Sequence, residues 1–270
     1  MSNKPYRLLE GGSRIDRSKR VTISFDGKQL PAFAGDTLAS AVMANGSKLF
    51  GRSFKYHRPR GVVGLGSEEM NALVGVGDGS RHEPNLRATQ VEVFDGLHAV
   101  SQNRWPSLTF DVGALNSRFS RFLPGGFYYK TFMWPQRFWK HVYEPLIRKA
   151  AGLGRAPEGR DPDTYEHIHV HCDVLVVGGG LAGLTAARAA CASGLKVMLA
   201  DENPELGGIA DLTAGSIDGA CVGDHAKAVA GQLYAAENVH VLNRATVAGH
   251  WHHNYLMIFE RVADHEPALL

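Results

Sequence analysis

Apolar and polar positions change period several times along the chain, and each change predicts an element. Val21-Thr-Ile-Ser-Phe25 alternates as a strand, Asp26-Gly27 carries a hairpin-turn signal, and Lys28 to Ala34 returns as a second strand. Asp36 or Thr37 then caps a short helix whose apolar positions Leu38, Ala41 and Val42 fall on one face, and Gly46 ends it. Val91-Glu-Val-Phe-Asp95 predicts a strand that closes this segment. A hairpin followed at once by a helix predicts a ferredoxin-like β-grasp domain over residues 21–100. Residues 1–20 precede it as an extended polar arm, with Gly11, Gly12, Arg14, Arg17, Lys19 and Arg20.

The pattern is irregular over residues 101–170. Phe119, Phe122, Phe127, Tyr128, Tyr129, Phe132, Trp134, Phe138, Trp139 and Tyr143 crowd a stretch broken by Pro124, Pro135 and Pro145. Gln136 to Tyr143 predicts one helix entered through Pro135. Lys140, Arg148 and Lys149 make this segment basic, so a membrane-surface helix competes with an interface between domains or subunits. Rigid aromatics in a connector favour the interface. Residues 152–166, rich in Gly, Pro, Asp and Arg, read as an exposed linker.

From residue 171 to 270 the pattern becomes α/β. Val174 to Val177 is a short β-branched run suited to a buried parallel strand. Gly178, Gly180 and Gly183 follow in G-x-G-x-x-G spacing, Leu184 to Ala192 reads as a small-residue helix, and Val197 to Ala200 is a second strand ending at Asp201. Asp224 to Ala236 predicts a helix, Val239 to Leu242 a third strand, and Thr246 to His250 with Leu256 to Glu260 a hairpin. The fold class expected is therefore a β-grasp domain followed by a Rossmann-type domain.

The glycine spacing carries chemistry because of its context. Gly178 permits a tight strand-to-helix turn, Gly180 lets backbone approach a pyrophosphate, and Gly183 lets helix and strand pack closely. Asp201 stands at the distance where an acid accepts hydrogen bonds from ribose hydroxyls, and its charge repels a 2′-phosphate. Glu202 and the Leu206-Gly207-Gly208 turn lie just beyond, where backbone can pass close to the pyrophosphate side. The ligand expected is a dinucleotide without a 2′-phosphate.

Composition narrows the remaining classes. A formal net charge of +2 argues against a dedicated nucleic-acid surface. No run approaches the ~18 consecutive apolar residues that span a bilayer, and Met1 to Arg20 holds no apolar signal core, so a cytoplasmic protein is expected. The three cysteines, Cys172, Cys191 and Cys221, have no C-x-x-C spacing. Lys55 to Glu69, where a plant-type ferredoxin carries thiolates, contains none. A β-grasp domain without an iron–sulfur cluster is the expectation that follows. Arg52, Lys55, His57, Arg58 and Arg60, interleaved with Phe54 and Tyr56, form a loop suited either to phosphate or RNA or to docking on an acidic protein surface; the second is the simpler reading. His167, His169 and His171 would share one face of a strand, yet without carboxylates they read as polar filler rather than metal ligands, as do His250, His252 and His253. No residue has the setting of a catalytic acid, base or nucleophile.

Several phrases have no generic structural reason to occur: Gly51-Arg-Ser-Phe-Lys-Tyr-His-Arg-Pro-Arg-Gly61, Glu83-Pro-Asn-Leu-Arg-Ala-Thr-Gln-Val-Glu92, Ser101-Gln-Asn-Arg-Trp-Pro-Ser-Leu108 and Phe127-Tyr-Tyr-Lys-Thr-Phe-Met-Trp-Pro135. Together with Val174-Leu-Val-Val-Gly-Gly-Gly180 and Asp201-Glu-Asn-Pro-Glu-Leu-Gly-Gly208, they resemble the α-subunit family of heterotetrameric sarcosine oxidases along nearly the whole chain. The resemblance implies a subunit of an enzyme that oxidatively demethylates sarcosine to glycine and passes the one-carbon unit to tetrahydrofolate. It implies β, γ and δ partner subunits, FAD and FMN in the complex, and a ferredoxin-like domain without a cluster. It also implies a non-redox NAD in this chain, contacted by Gly178, Gly180, Leu181, Ala182, Gly183, Asp201, Glu202, Gly207 and Gly208. Members of that family are several times longer and continue through the rest of a two-dinucleotide-binding flavoprotein fold. The Rossmann-type domain is accordingly expected to be incomplete and the chain a fragment. The competing functions are the α subunit of a related FAD-dependent amine or imino-acid dehydrogenase, and a non-catalytic assembly module.

Overall fold

The opening alternation folds into β1 (Asp16–Phe25) and β2 (Lys28–Ala34), an antiparallel hairpin with Phe25 opposite Lys28. Its turn residues Asp26 and Gly27 take φ of 49° and 76°, the left-handed pair that matches strand twist in a two-residue hairpin. The structure is a computed structural model and describes residues 6–10, 14–122, 125–126, 132–150 and 152–263. The chain divides into two units, one reaching to Asp163 and one beginning at Thr164.

In the first unit, α1 (Leu38–Ala44) follows the hairpin. Thr37 caps it in a capping box with Ser40, and Leu38, Ala41 and Val42 are buried on the face that the spacing predicts. Asp36, the other cap candidate, has a different task. Its carboxylate is buried and accepts from Nη1 and Nη2 of Arg7 at 2.9 and 2.6 Å, together with Ser40 Oγ and the Phe33 amide. Arg7 also lies over the Phe33 ring, and Tyr6 covers Gly46. The arm is thus pinned at Tyr6 and Arg7, and residues 16–20 belong to β1; Gly11 and Gly12 lie outside the described residues. Removing Arg7 leaves a buried carboxylate without its charge partner. Arg7→Ala is expected to lower stability by about 1–3 kcal/mol in urea denaturation; an unchanged midpoint would count against the pinned arm.

The remaining strands are β3 (Gly51–Arg52), β4 (Pro59–Arg60), β5 (Leu73–Val76), β6 (Glu83–Arg87) and β7 (His98–Ser101). They complete a five-stranded sheet in the order β2-β1-β7-β5-β6, with β3 and β4 pairing apart from it. The β1–β7 pair is parallel and the others antiparallel. Ile23, Leu38, Val42, Phe50, Val74 and Leu97 form its core. The strand expected at Val91–Asp95 does not form. Val91 and Val93 are buried, but their backbone serves α1: Leu38 N donates to Val91 O at 2.8 Å and Val93 N to Asp36 O at 3.1 Å. The closing strand is β7, beyond a turn at Asp95–Gly96.

The aromatic connector is longer than the helix expected at Gln136–Tyr143. A 3₁₀ turn at Gln136–Phe138 runs into a π turn at Trp139–Tyr143 and then α2 (Glu144–Ala150). Pro145 cannot donate to the preceding turn, and the wider π turn accommodates that missing bond. Phe132 and Phe138 pack on Tyr143, while Trp134 is exposed. Phe127, Tyr128 and Tyr129 lie outside the described residues. His167, His169 and His171 are exposed in chain without regular structure, so they share no strand face.

The second unit contains β8 (Val174–Val177), α3 (Leu181–Ala192), β9 (Val197–Ala200), a small β10 (Ser216–Ile217) and β11 (Ala220–Cys221) hairpin, α4 (Val222–Ala235), β12 (Val239–Leu242), and the hairpin β13 (Ala245–Trp251) with β14 (Tyr255–Glu260). The sheet is parallel in the order β12-β9-β8. β9 is central, which explains why all four of its residues are buried. Leu184 and Ala187 of α3 and Val222, Ala226, Val229 and Leu233 of α4 fill the core at helical spacing. Among the described residues no helix is long and apolar enough to cross a membrane.

Candidate dinucleotide site

The site is built where β8 turns into α3. Gly178 adopts φ of 97°, and its amide donates to Ala200 O at 2.8 Å, which holds the loop to the end of β9. Gly180 caps α3, and the first helical bond is Leu184 N to Gly180 O. The amides of Leu181, Ala182 and Gly183 therefore precede the intrahelical ladder and point out of the helix start, where anions bind. A Cβ placed on Gly180 would meet nothing within 4 Å, so its backbone faces open space. One placed on Gly183 would fall 1.7 Å from Gly178 O. The two glycines thus do different work: one leaves room for a ligand, the other lets the helix touch its own entry loop.

Asp201 ends β9 and is only 6 % exposed. Its Oδ2 accepts the Gly179 amide at 2.6 Å, and its Oδ1 accepts the Asn203 amide and Nδ2 at 2.8 and 2.9 Å. The carboxylate expected at a ribose is therefore also the peg that fixes the glycine loop. Glu202 is half-buried, and its carbonyl accepts Arg261 Nη2 at 3.3 Å. Gly207 N donates to Gly179 O at 2.8 Å, and Leu206 packs against Gly179 closely enough to exclude a side chain there. Gly207 and Gly208 take φ of 117° and 56°, and Gly208 lies against Gly180. All nine residues expected at the site lie on these two loops and the helix start. Sequence reasoning missed Gly179 and Asn203. The run of three consecutive glycines was the available signal for the first; an Asx-type contact two residues after the acid was the signal for the second. Among the described residues no three His, Cys, Asp or Glu side chains gather as a metal site.

Comparison with known proteins gives this geometry a class. Residues 18–104 match the family of 2Fe-2S iron-sulfur cluster binding domains, and residues 173–265 match the family of FAD dependent oxidoreductases. The crystal structure of L-proline dehydrogenase from P. horikoshii is similar over 90 % of this chain and 37 % of its own, with a TM-score of 0.52 at 22 % identity, a likeness of fold. The class is thus a ferredoxin-like domain followed by an FAD-oxidoreductase domain. The chain is 51 % identical over 97 % of its length to the sarcosine oxidase subunit alpha of Rhizobium meliloti, and 38 % identical over 97 % to that of Corynebacterium sp. strain U-96. It is a homologue of the N-terminal segment of sarcosine oxidase α subunits, and spans 27 % and 23 % of the length of these two relatives.

These matches correct the cofactor expectations. The second domain's match to FAD dependent oxidoreductases displaces NAD as the main cofactor. Glycine spacing, an open Gly180 and a ribose acid serve either dinucleotide, so the motif could not separate them. The first domain's match to a 2Fe-2S cluster binding domain stands against the expectation of no iron–sulfur cluster. Counting thiolates tests ligands rather than domain kinship. Residues 18–104 themselves hold no cysteine, so they do not fit thiolate ligation of a cluster. The residues here do fit FAD: the amides at the start of α3 precede the helical ladder, and Gly180 beside them has open space where a side chain would project.

Proposed function

We propose that this chain is the N-terminal, dinucleotide-binding part of a sarcosine oxidase α subunit, an oxidoreductase acting on the CH–NH group of sarcosine and assembling with β, γ and δ subunits. The product would be glycine, with the one-carbon unit passed to tetrahydrofolate. The observation that carries the reading is the 51 % identity over 97 % of the chain to a sarcosine oxidase subunit alpha; the Gly178–Gly183 loop, open at Gly180 and pegged by Asp201, supports its dinucleotide-binding part. FAD, when bound, supplies a two-electron acceptor. The amides of Leu181, Ala182 and Gly183 would hold its pyrophosphate, with Gly180 leaving room for the approach; Asp201 and Glu202 would serve the ribose, and Gly207 and Gly208 would lie close by. The Rossmann-type domain is read as the first part of a larger two-dinucleotide-binding fold, following domains at 1–20, 21–100 and 101–170.

The test is titration of the chain with FAD followed by flavin fluorescence, with NAD⁺ as comparator. FAD is expected to bind more tightly than NAD⁺. Gly180→Val should abolish uptake by filling the open space there. Asp201→Asn turns an NH₂ toward the Gly179 amide and should weaken binding by about tenfold. Absence of FAD binding, or full binding by Gly180→Val, would reject the site.

A further inference from the structure

The acidic end of the site, Asp201 to Asn203, is clasped by the base of the β13–β14 hairpin. Three consecutive carbonyls accept from it. Asp201 O takes the Ala245 amide at 2.8 Å, Glu202 O takes Arg261 Nη2 at 3.3 Å, and Asn203 O takes the Arg244 amide at 3.0 Å. The hairpin mouth is itself closed, since Arg261 N donates to Arg244 O at 3.1 Å and Ala245 pairs with Glu260. Two of the three carbonyls are thus held by backbone amides, which nearly any residue can supply. Only the middle one, on Glu202, depends on a side chain, and that side chain is 59 residues away in sequence.

The two acids of this segment differ in what they have left to offer. Asp201 is buried, and its carboxylate already accepts three N–H groups, from the Gly179 amide and from the amide and side chain of Asn203. Glu202 is half-buried, and among the described residues no hydrogen bond or ion pair engages its carboxylate. Glu202 is therefore the acid with most acceptor capacity free for sugar hydroxyls. We infer that Arg261 is a positioning residue for ribose recognition: its bond to the Glu202 carbonyl fixes where that carboxylate meets the adenosine hydroxyls. Arg261 acts through Glu202 rather than on the nucleotide. A carboxylate on an unclasped segment loses conformational freedom on binding, whereas one held from behind has lost it already.

The inference rests on the dinucleotide reading, so the probes separate the two. ADP and 2′-deoxy-ADP differ by one ribose hydroxyl and share the phosphates that the α3 amides would hold. Binding of each to the full chain is measured by isothermal titration, beside the FAD titration above. The parent is expected to prefer ADP about tenfold. Arg261→Met should bring ADP down to the level of 2′-deoxy-ADP and leave 2′-deoxy-ADP unchanged. Arg261→Lys keeps a donor and should retain most of the preference. Glu202→Ala should abolish it, and adding Arg261→Met to Glu202→Ala should change nothing further. If the parent takes up neither ADP nor FAD, the dinucleotide reading itself fails. If it takes up FAD but does not favour ADP over 2′-deoxy-ADP, or if Arg261→Met keeps the preference, the inference alone is overturned. It is overturned too if Arg261→Met loses both probes alike, because Arg261 would then serve the fold rather than the sugar.

Discussion

Gly183→Ala is expected to cost the second unit about 3 kcal/mol or more, and dinucleotide uptake with it. The added methyl would stand 1.7 Å from Gly178 O, a backbone atom of the entry loop. No rotamer relieves that overlap, so α3 must move away from β8, opening the core at Leu184 and Ala187. Gly180→Ala is the matched control. It adds the same methyl at a position with no atom within 4 Å and a negative φ of −71°. Urea denaturation followed by circular dichroism separates the two: the control should unfold with the parent and Gly183→Ala well before it. Coincident curves would mean that α3 does not pack on its entry loop as described.

The second large effect lies in the first unit. Glu69 is 2 % exposed, and its carboxylate takes four backbone amides: Val63 and Gly64 on Oε2 at 2.7 and 2.6 Å, Asn71 and Ala72 on Oε1 at 2.6 and 3.0 Å. Burial pushes this carboxyl up, but the four amides outweigh it and hold it below its ordinary value of 4.5. The folded state therefore favours the ionised form. Its contribution is complete above 4.5 and is lost as pH falls through the lower folded value. Glu69→Gln replaces one acceptor oxygen by a donor that opposes two amides, and should cost about 2–4 kcal/mol at neutral pH. It should also flatten the fall in stability below pH 4.5, as chemical denaturation at a series of pH values would show. A variant as acid-sensitive as the parent would deny Glu69 this role.

What could be read without coordinates was local. The Asp26–Gly27 turn, the α1 stripe and the Gly178–Gly183 loop announce themselves through residues close in sequence, because turn dihedrals and helical spacing are short-range constraints. Two elements show the limit. Val91-Glu-Val-Phe-Asp95 alternates because Val91 and Val93 are buried, and alternation reports burial, not a full strand; the Val91 carbonyl and the Val93 amide there make only a single bridge to the start of α1, Glu92 opposite Thr37. Arg7 is one cation in a polar arm, and only the fold brings Asp36 to it. The same holds at the site. Asp201 is legible as a candidate ribose acid, but its bond to Gly179 depends on how the loop folds back over β9. The choice between NAD and FAD lies in contacts beyond the glycine motif, and comparison with known families, rather than spacing, corrected it.

The Gly207–Gly179 bond has a kinetic meaning. Because the second glycine turn is already fastened to the first loop, the arrangement proposed to hold a dinucleotide is in place without one. Binding then needs no ordering of either segment, so association should be a single concentration-dependent phase rather than a fast encounter followed by slow closure. The Gly207 and Gly179 amides, both held in hydrogen bonds, should exchange slowly with solvent deuterium in the ligand-free chain and change little when the dinucleotide arrives. The amides of Leu181 and Ala182, which wait for an acceptor, should be the ones that gain protection.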